Sequence, residues 1–295
     1  MTSWLLKPPT LHNARGYKRR DCRGEKAPSS CFGKVQMLKF SANIGLLFNE
    51  LPFEERIAAA AQSGFDAVEF PFQNTLASDE LSGLLRNCGM TQSLANMRYE
   101  LNDLGLGAAP GRESEFHARL AEAIDYANGT RCKVLHVLAG KVPTGVTAKH
   151  AEETLRENLR AAAAFAAQSE ITVVVEAINR RDVPDFVFKD VHHAASVVES
   201  VNASNLRLLL DIYHAGTMHE DIPAVIRRYA GLAGYVQIAG FAGRNEPSDG
   251  AANYVKLLQD LSHAGYDGYV GCEYRPLGET LSRLAWLGEV KQALI

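Results

Sequence analysis

Eight times between Leu38 and Tyr274 the chain repeats a two-part pattern, an apolar run of five to seven residues followed by a stretch with 3.6-residue periodicity. Short apolar runs separated by helical patterns are what parallel strands joined by crossover helices require. The expected strands are 38–44, 66–70, 91–97, 133–139, 171–177, 206–212, 234–239 and 269–274. The clearest helices are 112–127, 147–168 and 252–263, with Gly64, Gly129 and Gly265 as expected helix ends. Eight such units in residues 37–295 match the count and size of a (β/α)8 barrel, so the reading is α/β, a single TIM barrel with no internal linker.

Residues 1–36 do not share the pattern. They hold eight Lys or Arg against two acids and lack apolar periodicity. The expectation is an N-terminal extension: a disordered segment, a transit-like segment, or an over-long start with Met37 as the true first residue. The last is favoured because an apolar strand begins at Leu38. The whole chain has net charge −3, so the tail's excess of six positive charges leaves about nine negative charges on the barrel. An acidic body disfavours a nucleic-acid partner. No apolar run approaches the roughly 18 residues of a membrane span. Five cysteines with no C-x-x-C pair and no signal peptide point to a reducing, cytoplasmic setting, and a small-molecule partner becomes the default. A homo-oligomer is compatible with the barrel, but no interface is legible.

Each strand ends on a polar residue between apolar neighbours: Asn43, Glu69, Asn96, His136, Glu176, Asp211, Gln237 and Glu273. Side chains alternate across a strand, so the neighbours face the helices and the polar residues face the axis, forming a ring at the carboxyl mouth where barrel enzymes work. Three carboxylates in one small mouth repel one another and resist burial, a cost that a divalent cation offsets. Glu176, Asp211, Gln237 and Glu273 come from successive strands and offer only oxygen, which suits Mg2+ or Mn2+ better than Zn2+. Which ion fills the site stays open.

The segments VVVEAINRRDVPDF (173–186), LLLDIYH (208–214), VQIAG with GRNEPSDGAANY (236–254) and GYVGCEYRP (268–276) resemble the hydroxypyruvate isomerase family of the xylose isomerase-like barrels. The opening LKFSANIGLLFNELPFEERIAAAAQSGFDAVEF (38–70) and PGRESEF (110–116) are similar too. The resemblance implies an isomerase of a short hydroxy-oxo acid, either hydroxypyruvate to tartronate semialdehyde or a 2-oxo-tetronate to its 3-oxo isomer, through an enediolate. It also implies that Glu176 and Glu273 are the acid/base pair, and that the superfamily's metal set falls on Glu176, Asp211, Gln237 and Glu273. The chain departs from the family in the loop after the third strand (97–113), at Ala177 in place of Pro, and at Ala251 and Ala252 in place of Glu-Ile.

A sugar-acid substrate needs a cation for its carboxylate. Arg244 is the first candidate and Lys141 the second, with His214 as a donor beside the metal or a substrate contact. His136, Asn96, Glu69 and Glu246 complete the expected substrate contacts. Two alternatives stand: a ketose 3-epimerase, and a non-catalytic barrel that binds a sugar acid. A zinc nuclease of the same superfamily is set aside, since His136 is the one histidine in the ring. GLGAAPG (105–111) has the wrong spacing for a dinucleotide loop. Adjacent His192 and His193 diverge on a helix, Ala161–Ala167 reads as a packing face, and Cys272 should point outward and stay inert.

Overall fold

The expected repeat folds as parallel strands β1 Lys39–Asn43, β2 Ala67–Glu69, β3 Gln92–Asn96, β4 Val134–His136, β5 Thr172–Glu176, β6 Leu206–Asp211, β7 Ala233–Ile238 and β8 Tyr269–Cys272. Each pairs with the next in chain order and β8 returns to β1, which closes the barrel. The computed structural model describes residues 37–72, 76–248, 250 and 252–295; the expected extension, 1–36, lies outside the described residues.

The connecting helices are α1 Phe53–Gln62, α2 Ser78–Asn87, α3 Glu113–Thr130, α4 Ala148–Ala167 and α5 Val191–Val201. Then come α6 Ile212–Thr217 with α7 Ile222–Tyr229, α8 Tyr254–His263 and a closing α9 Ala285–Ala293. Five of them start where a side-chain oxygen takes up a free N–H of the first turn: Thr147, Asp190, Asp211, Asp221 and Asn253 cap α4, α5, α6, α7 and α8. The crossover between β6 and β7 is split, because Asp211 at the end of β6 caps α6 directly. Among the described residues no helix is long and apolar enough to cross a membrane.

Two apolar layers follow from the period-2 alternation. Outward residues such as Ala42, Val68, Ala95, Val175, Ile238 and Cys272 join the helices in the main core. Leu94, Val174, Leu209 and Tyr235 form a separate cluster inside the barrel. Each sits two residues before a residue of the polar ring, so the same strand faces supply an apolar plug and, above it, the polar mouth. Burying each aliphatic side chain of that plug is worth roughly 1.5–3 kcal/mol.

Gly64 and Gly265 lie just beyond α1 and α8 at φ +84° and +86°, as helix-ending glycines should. Gly129 does not end a helix. α3 continues to Thr130 and Arg131 takes the left-handed turn at φ +61°, while a Cβ on Gly129 would lie 2.2 Å from Ser78 Oγ. Its role is close packing against α2. Within Ala161–Ala167 only Ala162, Ala163 and Ala166 are buried, a narrower face than expected.

The loops above β3 and β4 meet through Gly105 and Gly140, both at positive φ; a Cβ on Gly105 would sit 2.2 Å from the Leu138 carbonyl oxygen. Gly105→Ala is therefore expected to destabilise the barrel by about 1–3 kcal/mol from crowding alone, with the strained φ adding to this. Urea denaturation measures it, and an unchanged midpoint and slope would contradict the packing described.

Candidate active site

β5 and β6 place Glu176 and Asp211 side by side at the mouth, both almost fully buried. Asp211 uses Oδ1 to cap α6, accepting Tyr213 N–H at 2.7 Å and His214 N–H at 3.3 Å. Its Oδ2 and Glu176 Oε1 are buried with no hydrogen-bond partner. Burial pushes the Glu176 carboxyl well above the ordinary range, and Asp211 and Glu273 add to the shift. Burial raises Asp211 too, against Arg244 and the two capping amides.

Two histidines flank Glu176, and their hydrogen bonds assign them opposite tautomers. Asn179 is tied at both ends to Asp182: Oδ1 accepts Asp182 N–H at 2.9 Å and Nδ2 donates to its carboxylate at 2.8 Å. That leaves Asn179 Nδ2, 2.7 Å from His214 Nδ1, with the Asn179 backbone N–H also pointing at this nitrogen. His214 Nδ1 is thus an acceptor and Nε2 carries the proton, 3.4 Å from Glu176 Oε1 and 3.6 Å from Asp211 Oδ2. His136 is the reverse. Asn96 Nδ2 donates to the Phe70 carbonyl, so Asn96 Oδ1 faces His136 Nδ1 and that nitrogen holds the proton. The bare His136 Nε2 looks at Glu176 Oε2 across 3.7 Å, two acceptors with room for a donor between them. Burial drives both imidazoles down to about 3, so they stay neutral at physiological pH.

Arg244 supplies the positive charge. It follows β7 at φ +55°, lies over the Tyr213 ring at 5.0 Å, and donates through Nη2 to Glu273 Oε2 at 2.6 Å, with Asp211 Oδ2 at 3.8 Å. Burial opposes its charge, but Glu273, Asp211 and Glu176 more than compensate and hold it firmly protonated. These groups open onto a cavity of about 200 Å3 whose wall includes Asn43, Asn96, His136, Glu176, His214, Gln237, Arg244 and Glu273.

Three expected contacts lie elsewhere. Glu246 is buried against Arg283 and the Leu277 N–H, holding the loop after β8. Lys141 Nζ donates to the Asn102 carbonyl at 3.1 Å and does not line the cavity. Glu69 is fully buried beneath the mouth, behind Asn43 and Gln237. His192 and His193 part as expected, toward Glu220 and Glu152, and burial keeps the Cys272 thiol protonated. Tyr99, Asn179 and Asp182 were not assigned roles from sequence. Tyr99 lines the cavity from the loop after β3, with burial and then the charges of Glu273 and Glu176 raising its phenol pKa. Only Asn179, as the last residue of the Glu-x-Ile-Asn segment 176–179, carried a sequence signal.

Part of the expected donor set fits a divalent cation: Glu176 and Asp211 converge, while Glu273 is held by Arg244 and falls outside the group of ligand atoms within 4.8 Å of one another among the described residues. Glu176 Oε1 and Asp211 Oδ2 are bare, and Gln237 spends its amide nitrogen on Glu69, leaving its oxygen free. His214 stands within 4.8 Å of both acids, but its mouth-facing nitrogen is protonated and cannot ligate.

Burial and the Glu273 charge lift the Glu69 carboxyl to about 8. A raised acid binds its proton more tightly when folded, so its contribution to stability is lost as pH rises. In metal-free protein the unfolding free energy should fall between about pH 6.5 and 8, by about 1.4 kcal/mol per unit from Glu69 alone, and level off above. Both histidines are neutral throughout that window when folded; in the unfolded chain they are half protonated at its lower edge, which offsets part of the fall there. Glu69→Gln should remove that part of the slope, and a chemical-denaturation series with pH measures it.

Residues 57–290 match the family model described as xylose isomerase-like TIM barrel. The chain is 37% identical over 254 residues to a 2-oxo-tetronate isomerase of Cupriavidus necator, an alignment covering 85% of this chain and 98% of that protein. It is 35% identical to the hydroxypyruvate isomerase of Escherichia coli, with the same coverage of both chains. A Brucella melitensis crystal structure titled as an AP endonuclease of family 2 superposes with a TM-score of 0.83 at 39% identity, covering 86% of this chain and 99% of that one. A D-psicose 3-epimerase from Clostridium cellulolyticum, 17% identical at TM-score 0.71 over 87% of this chain and 96% of that one, shares the fold. By sequence and by architecture the chain is an isomerase of the hydroxypyruvate isomerase family, within the xylose isomerase-like TIM barrels.

Proposed function

We propose that this chain interconverts a short 2-oxo-3-hydroxy acid and its isomer with the carbonyl moved to C3, the substrate being hydroxypyruvate or a 2-oxo-tetronate. One observation carries the reading: Glu176, at the end of β5, and Glu273, just after β8, face one small cavity whose single charged cation among the described wall residues is Arg244. The names borne by the relatives from Cupriavidus necator and Escherichia coli support the same substrate class.

In this reading one carboxylate takes the C3 proton, giving an enediolate, and the other returns a proton to C2; the O3 proton leaves as the C3 carbonyl forms, and O2 gains one. His214 Nε2–H is held as a donor by Asn179 and can bond the oxygen where charge develops. His136 Nε2 is held as an acceptor and can take a substrate hydroxyl. Arg244 binds the substrate carboxylate while its bond to Glu273 keeps that carboxylate oriented. A divalent cation held by Glu176, Asp211, Gln237 and Glu273 would polarise the carbonyl and offset the negative charge of the site.

Incubating the protein with Mg2+ or Mn2+ in D2O tests this directly. Deuterium should enter at the carbon beside the carbonyl of hydroxypyruvate or a 2-oxo-tetronate, and EDTA should stop the exchange until metal is restored. Exchange only with neutral ketohexoses, persisting in Arg244→Ala, would favour an epimerase instead. Glu176→Gln and Glu273→Gln should each slow turnover by about 10²- to 10⁴-fold. The thermal midpoint of Glu176→Gln should hold or rise, since a buried acid crowded by others is replaced by a neutral amide. Turnover retained with a lowered midpoint would overturn the assignment.

A further inference from the structure

One buried acid has no part in the chemistry above. Glu69 ends β2, has no exposed surface and does not line the cavity. Its side chain runs inward beneath the mouth, where β8 leaves space: a Cβ on Gly271 would lie 2.4 Å from Glu69 Oε2. Glu69 Oε1 accepts two side-chain amides at once, Asn43 Nδ2 at 3.1 Å and Gln237 Nε2 at 2.8 Å. An ionised carboxyl oxygen can only accept, and a protonated carboxyl can keep its proton on Oε2, so Oε1 selects amide nitrogen in either state.

The two amides are not equally constrained. Asn43 is tied at both ends, since its Oδ1 also accepts the Gly45 N–H at 3.1 Å. Gln237 is tied at nitrogen alone. The oxygen and nitrogen of an amide are nearly equal in size, so packing cannot tell one orientation from its half-turn rotation; only hydrogen bonds can.

We infer that Glu69 is a positioning residue that holds the Gln237 amide nitrogen inward and so presents the Gln237 carbonyl oxygen to the cavity. Without that acceptor Gln237 can turn over, putting an NH2 group on the wall where a cation needs an oxygen. The orientation stands on the hydrogen bonds alone; its consequence for cation binding rests on reading Gln237 as a ligand.

Two readouts keep those parts distinguishable. In metal-free protein with isotope-labelled glutamine, NMR should show the Gln237 side-chain NH2 exchanging slowly with solvent in wild type and in Glu69→Gln, whose own carbonyl can still accept. In Glu69→Leu the exchange should quicken by roughly tenfold or more. Unchanged exchange in Glu69→Leu would overturn the inference. Mn2+ affinity, read from the free-ion EPR signal, should drop by about 10- to 100-fold in Glu69→Leu and stay near wild type in Glu69→Gln. Equal Mn2+ affinity in Glu69→Leu and wild type would overturn the link to cation binding. Absence of Mn2+ binding in the wild type itself would instead count against the metal in the proposed function, with the exchange measurement still deciding the orientation. If Glu69→Leu loses its circular-dichroism signature, Glu69→Met, equally unable to accept but more flexible, replaces it.

Discussion

The mouth of the barrel gathers more negative charge than its own side chains neutralise. Glu176, Asp211 and Glu273 meet there with Glu69 beneath them, three of the four buried, while the flanking histidines are neutral and Arg244 stands as the single charged cation in the described wall. The arrangement follows from the fold. A closed parallel barrel points the last inward residue of every strand at one small volume, and here half of those residues are acids. The cost shows in the raised carboxyl pKa values and in the bare oxygens of Glu176 and Asp211. A second source of positive charge would relieve both.

Around that charge the polar side chains are held by partners that leave little freedom. Asp182 sets Asn179, which sets the His214 tautomer; the Phe70 carbonyl sets Asn96, which sets His136 in the opposite sense. Each chain starts from a group that can only donate or only accept, and this polarity passes through an amide to an imidazole. Glu176 consequently faces a protonated nitrogen 3.4 Å from one oxygen and a bare nitrogen 3.7 Å from the other, neither contact a formed hydrogen bond. That asymmetry suits a group that must exchange a proton with substrate from a defined direction.

Much of this was legible in the residues. The strand ends were read to within three residues, and the polar ring follows from alternation because a period of two leaves no choice of face once the apolar neighbours are placed. Gly129 was misjudged because a glycine near a helix end signals a turn, yet Ser78 of α2 crowds it into a packing role that only the neighbouring helix reveals. Glu246 and Lys141 were expected to meet substrate; one is committed to Arg283 and Leu277, the other to Asn102. Tyr99 carried no signal, since its loop has no periodicity from which direction could be read.

The sequence by itself determined the barrel, the strand that carries each polar residue and the acidic character of the mouth, because hydrophobic period and charge are local properties of the chain. Depth and orientation were decided by tertiary structure alone. Glu69 occupies the same place in its strand as Glu176 does in its own, yet one lies beneath the mouth and the other lines it, because Gly271 on a strand some 200 residues away leaves space for the first. The tautomers of His136 and His214 and the facing of Gln237 likewise depend on partners from other strands and loops, which no reading of one segment supplies.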